Sequence, residues 1–291
     1  MSELETFLDD TPGEVRGMVV RHGRFERLLI QREDDVAQHR LGARSVGRVA
    51  AVDAGLKGAF VDLGAGEPFG FLPLRKSDRI AVGEKIEVEV SAEPRELKGP
   101  TLALIGPGEG EARLLRPGPT VAETLARLAQ DVEPRTGAAA IRASLEAEEE
   151  ALAPGALFAH LGVRLAVERT RALVAVDIDH AAAPGRDGRR DKGRANRDGL
   201  TQAARLIRLK GWGGLVAVDL VGTGHDGVAM LAAARAAFGD DREVAIGPVN
   251  RFGVLMLSLP WRTTPVEERL LGPDGRPTPE TRAIEAVRRL G

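Results

Sequence analysis

Short runs of alternating apolar and polar residues dominate the first third of the chain. Residues 15–33, VRGMVVRHGRFERLLIQRE, predict two strands around a turn at His22-Gly23. From residue 46 the runs shorten and glycine separates them: VGRVAAVD, GAFVDLG, FGFLPL, KIEVEV and a last strand near TLALI. Five short strands at this spacing predict a small barrel. IGPGEGEARLLRPGPT then interrupts the pattern with Gly and Pro and is expected to be a linker. Residues 120–152 have helical spacing, and their EAEEEA run is expected to be a solvated helix face.

Beyond Gly162 the texture changes to strands alternating with helices. VRLAVE and ALVAVDID predict strands. In ANRDGLTQAARLIRLKG, Leu200, Ala203, Ala204 and Ile207 form one apolar stripe of a helix. GLVAVDL, GVAMLAAARAAF, EVAIGPV and FGVLMLSL continue as strand, helix, strand, strand, so a sheet with helices packed on it is expected. A short basic amphipathic helix closes the sequence from Pro277. The expected class is α+β: an OB-type β-barrel followed by an α/β subdomain of order β-β-α-β-α-β-β. The segments are a strand pair in 1–35, the barrel in 36–105, linker and helices in 106–155, the α/β subdomain in 156–265 and a helix in 266–291.

Composition narrows the chemistry. The 291 residues are 43% hydrophobic and 29% charged with a net charge of -2, so nucleic-acid attraction has to come from local basic patches. There is no cysteine, which removes disulfides, thiolate metal sites and cysteine nucleophiles. The acidic N-terminus lacks a signal-peptide profile and no apolar run is long enough for a bilayer, so a cytoplasmic protein without a membrane partner is expected. The five histidines are scattered without zinc spacing, and no GxSxG elbow is present.

Two apolar strands end in aspartate, LVAVD at Asp177 and LVAVD again at Asp219. Asp177 and Asp179 share a face because strand side chains alternate. If the two strands are neighbours, the acids meet at strand ends, where open α/β sheets bind ligands and where carboxylates suit Mg²⁺. The competing reading is that aspartate ends strands because it favours turns and caps. Residues 180–199 between them carry Arg186, Arg189, Arg190, Lys192, Arg194 and Arg197 against three acids. This stretch is expected to be a flexible loop, either solubilising or a phosphate clamp beside a metal. In the barrel, Phe60 and Phe71 are either core or base-stacking platforms, with Lys98 a candidate for the RNA backbone.

VGRVAAVDAGLKGAFVDLGAGEPFGFLPL resembles the S1 RNA-binding domain of the ribonuclease E/G family. RTRALVAVDID, ANRDGLTQAARLIRLKGWGGLVAVDL and NRFGVLMLS resemble, in order, segments of that family's deoxyribonuclease-I-like catalytic subdomain. VRHGRFERLLIQRE is similar to the small strand pair of its ribonuclease-H-like subdomain. The resemblance implies a Mg²⁺-dependent endoribonuclease acting on single-stranded RNA, with Asp177 and Asp219 as metal ligands. Asp179 stands where the family usually has asparagine, and Gly222 where an acid commonly follows. It also places Phe60, Phe71 and Lys98 at RNA-contacting positions. The 5′-monophosphate sensor is not recognisable, and without cysteine no zinc-linked dimer is expected. The other reading is a non-catalytic RNA-binding protein with a degenerate nuclease half.

Overall fold

A computed structural model describes residues 4–180, 188–239 and 242–290, the side chains of residues 188–191 excepted. The chain divides into two compact units. One holds the chain up to Gly23, Leu28–Leu145 and the chain from Arg262 onward; the other holds Arg24–Arg27 and Glu146–Trp261.

The chain opens with three strands in sheet order, β1 (Leu4–Thr11), β2 (Glu14–Arg21) and β3 (Arg24–Arg32), the last belonging to the first unit from Leu28 onward. His22 and Gly23 make the expected turn, both at positive φ (51° and 69°), the backbone a tight hairpin needs. β1 adds a strand to the expected pair. Its LETFLDDT sequence hides the alternation because Thr6, Asp9 and Thr11 occupy buried positions.

Five strands follow: β4 (Arg44–Asp53), β5 (Gly58–Asp62), β6 (Gly70–Pro73), β7 (Lys85–Ala92) and β8 (Thr101–Pro107). β4 pairs with both β5 and β7, and the sheet order β5-β6-β8-β7-β4 therefore closes on itself. Val49, Val61, Leu72, Ile86, Val88 and Leu102 fill its interior. The expected linker is corrected in part. Within it RLLR forms β9 (Arg113–Arg116), which lies along the start of β4. The Gly and Pro residues flank this strand rather than replacing it.

α1 (Val121–Leu128) begins with a capping box, Thr120 receiving the Glu123 N–H and Glu123 receiving that of Thr120. α2 (Ala138–Leu152) then leads to the second unit. There β10 (Gly155–Phe158), β11 (Val163–Arg169), β12 (Val174–His180), α3 (Gly188–Lys210), β13 (Gly214–Asp219), α4 (Gly227–Phe238), β14 (Ala245–Val249) and β15 (Val254–Leu259) follow in turn. The element order is that read from the sequence with one further edge strand, the four-residue β10. The sheet order is β10-β11-β12-β13-β15-β14, with β12 and β13 parallel. The inward residues of the central strands, Val174, Val176, Ile178, Val216 and Val218, share one core with Leu200, Ala203, Ala204 and Ile207 of α3. The opposite sheet face stays open: Ala175, Asp177, Asp179, Leu215 and Asp219 are all exposed.

α5 (Val266–Leu270) and α6 (Pro279–Leu290) complete the first unit. Among the described residues no helix is long and apolar enough to cross a membrane.

Candidate functional site: the acidic strand ends

Parallel pairing puts Asp177 of β12 directly opposite Asp219 of β13. Register partners share a face, and both acids lie on the open one, because Val176, Ile178 and Val218 point into the core. Asp179 follows two residues on along the same face. The Asp177 carboxyl is raised above the usual aspartate range, first by partial burial and then by the charges of Asp219 and Asp179. Among the described residues neither Asp177 nor Asp219 forms an ion pair. Like charges are therefore crowded together with no ion pair to either of these two acids among the described residues, an arrangement that favours a bound cation.

Three elements surround these acids. On β11, Arg164 is the register partner of Asp179, which brings an exposed guanidinium into the acidic row. From α3, the Asn196 side chain grips the peptide after Asp219. Its Oδ1 accepts from Val221 N at 2.9 Å and its Nδ2 donates to Val221 O at 3.2 Å. Asn196 is 1% exposed, so this two-point clamp is sealed in the protein. α3 itself sits close to the sheet at Gly199, where a Cβ would stand 2.6 Å from Ile178 Cγ2. The third contribution is Lys192, whose stem passes Gly222; a Cβ there would come within 2.8 Å of Lys192 Cδ.

Most of the expected basic loop is helix. α3 starts at Gly188, and its mixed charges fit a solvated helix surface, as in the Arg194–Asp198 pair at 3.5 Å. Ala195 and Asn196 already belong to its buried stripe. Lys192, Arg194 and Arg197 are exposed on this helix. Arg186 lies outside the described residues, as do the side chains of Arg189 and Arg190. The EAEEEA run is also more than a solvated face: Glu150 accepts from buried Arg205 at 2.7 Å.

On the barrel, Phe60 and Phe71 are register partners on β5 and β6. Both are half-buried, while their neighbours Ala59, Val61 and Leu72 point inward. Their rings meet edge to face with centroids 5.6 Å apart. Lys98 is exposed at the tip of a turn in which Glu96 and Leu97 have positive φ, and its Nζ is 3.4 Å from Glu96.

Arg164 and Asn196 were missed in the sequence. A charged residue in an alternating strand says little until its neighbour is known. For Asn196 there was a usable signal: it falls on the apolar stripe of Leu200, Ala203 and Ile207, and an amide there needs a buried partner.

The second unit is thus a helix-backed mixed sheet with a carboxylate pair where β13 ends at Asp219 beside the middle of β12, which runs on past Asp177 to His180 rather than ending there as expected. Residues 121–259 match the family model of the Ribonuclease E/G family, so this stretch is similar to that family. The match takes in both aspartates and stops short of the barrel, which precedes it. No curated protein matches the chain.

Proposed function

We propose that the protein is a Mg²⁺-dependent endoribonuclease that cuts single-stranded RNA, with an S1-like OB-type barrel as its RNA-binding part. The observation that carries this reading is the in-register Asp177–Asp219 pair on an open sheet face, inside the segment that matches the ribonuclease E/G family model.

The donor set fits a hard divalent cation. Asp177 and Asp219 supply two carboxylates that form no ion pair among the described residues, and Mg²⁺ characteristically takes one or two carboxylates with water and phosphate oxygens. Among the described residues no group of three or more acidic or histidine side chains is drawn together as a metal cage, so the protein would supply only part of the coordination sphere. When bound, the ion would polarise a phosphate oxygen and lower the pKa of a water. Asp179 would help to hold the ion or orient that water, a task an amide could also perform. Arg164 and Lys192 neutralise phosphate oxygens, and Asn196 fixes the backbone beyond Asp219. The closed ring of β4–β8 with two outward, half-buried phenylalanines supports base stacking, with Lys98 beside the RNA backbone.

Incubating the full chain with a labelled unstructured oligonucleotide, with Mg²⁺ and with chelator, tests the reading. Internal cleavage in Mg²⁺ alone is expected. RNA binding without cleavage at any Mg²⁺ concentration would leave an RNA-binding protein with a silent nuclease half.

A further inference from the structure

A second feature lies immediately beyond the acidic strand ends. The loop after β13 (Gly222, Thr223, Gly224, His225) and the turn before β15 (Asn250, Arg251, Phe252, Gly253) enclose a cavity of about 330 Å³. Each wall departs from the site itself. Gly222 is three residues past Asp219, at most about 10 Å along the chain, and Gly253 precedes Val254, the register partner of Asp219.

The turn is built to hold an aromatic ring in solvent. Asn250 Oδ1 accepts from Phe252 N at 2.9 Å and Val254 N at 3.1 Å, and Asn250 N donates to Val254 O at 2.9 Å. Phe252 is nevertheless 73% exposed, in a protein with eight Phe, two Trp and no Tyr. The Arg251 guanidinium lies 4.7 Å from its ring centroid. Across the cavity, His225 Nε2 is buried, has no hydrogen-bond partner among the described residues, and faces Gly253. A buried ring nitrogen without a partner has a hydrogen bond left to give or take.

A rigidly held aromatic, a cation beside it and an unsatisfied imidazole edge match the three parts of a nucleotide. The aromatic takes the base face, the guanidinium takes phosphate and the imidazole takes a base edge. An apolar partner would find a single ring among Thr223, His225, Asn250 and Arg251. We infer that this cavity is a subsite for one base of the RNA strand, next to the phosphate that a cation at Asp177 and Asp219 would hold, stacked on Phe252 and read by His225. The inference rests on RNA being the ligand, as proposed above, but not on cleavage.

The test walks the fluorescent base 2-aminopurine, whose emission drops on stacking, through a short unstructured RNA bound to the full chain in chelator. Phe252→Ala should restore emission at one position and weaken binding about tenfold, within the range of a single base–aromatic stack. Phe252→Trp should keep both. Phe60→Ala should restore emission at different positions, and the melting temperature of Phe252→Ala should match the parent because the ring is exposed. Unchanged emission and affinity in Phe252→Ala, or a uniform change at every position, overturns the subsite. If RNA binds and Phe252→Ala acts as expected but Mg²⁺ gives no cleavage, the nuclease reading fails and the subsite stands. If cleavage occurs and Phe252→Ala is silent, only the subsite fails.

Discussion

At the residue scale, the charge that suits Asp177 to a cation also works against the fold. Its carboxyl is raised by burial and by Asp219 and Asp179. The folded state therefore holds that proton more tightly than the unfolded chain does. Stability grows as pH falls from above the raised value toward the ordinary aspartate range, and the full penalty is present at neutral pH. Asp177→Asn should thus lose cleavage, keep RNA affinity within a few fold, and in chelator at pH 7 melt up to about 2 °C higher than the parent. The gain should vanish in acid; a lower melting temperature would contradict the crowding. Asp179→Asn restores the residue usual at that position in the resembled family and should leave cleavage intact. The paired aspartates were legible because each follows the same apolar LVAV run, although β12 continues beyond Asp177 to His180. Arg164 was not, since its value comes from standing opposite Asp179 across a strand pair.

The helix α3 is the element on which sequence and structure differ most. Its arginines and aspartates resemble a solvated loop, and only the stripe from Ala195 onward betrays a buried face. Similar masking hid β1, whose inward positions are polar, and β9, enclosed by Gly and Pro. The barrel strands were plain, as in KIEVEVSA, where burial alternates residue by residue. Asn196 ties this helix to the loop after Asp219 by two hydrogen bonds. Asn196→Ala should cost about 1–3 kcal/mol of stability by leaving the Val221 peptide unsatisfied. In urea-free buffer, where the fold persists, the cleavage rate should fall more than RNA affinity. Equal loss of both would make Asn196 a folding residue only. On the barrel, Phe60→Ala and Phe71→Ala should each weaken RNA binding by about 1–3 kcal/mol. Loss of thermal stability with normal binding would instead put both rings in the core.

At the scale of the whole molecule, the first unit is closed by a charge network rather than by apolar packing alone. Glu14 accepts from Arg16 at 2.6 Å, Arg32 at 2.8 Å and Arg288 at 3.2 Å, while Arg288 also reaches Asp9 at 2.6 Å. Glu14, Arg16 and Arg288 are almost wholly buried. Burial alone would raise the Glu14 carboxyl, but Arg16 and Arg32 together bring it below the usual range. Its contribution is therefore complete above the ordinary glutamate value and is lost as pH falls through the lowered one. Glu14→Gln should destabilise the protein by about 3–5 kcal/mol, since it strands buried arginines. Urea melts across acid pH should show the parent losing stability where the variant's curve is flatter; equal slopes would remove Glu14 from the acid response. The same network sets an order of events during synthesis. Asp9 and Arg288 are 279 residues apart, so at ribosomal speeds of 5–20 residues per second the arginine arrives roughly 15–55 s after its partner. Until then the N-terminal sheet carries Asp9 without its guanidinium, whereas the acidic sheet of the second unit is already complete. A nascent chain stalled before α6 would consequently hold a finished second unit and an N-terminal unit that proteases can still open.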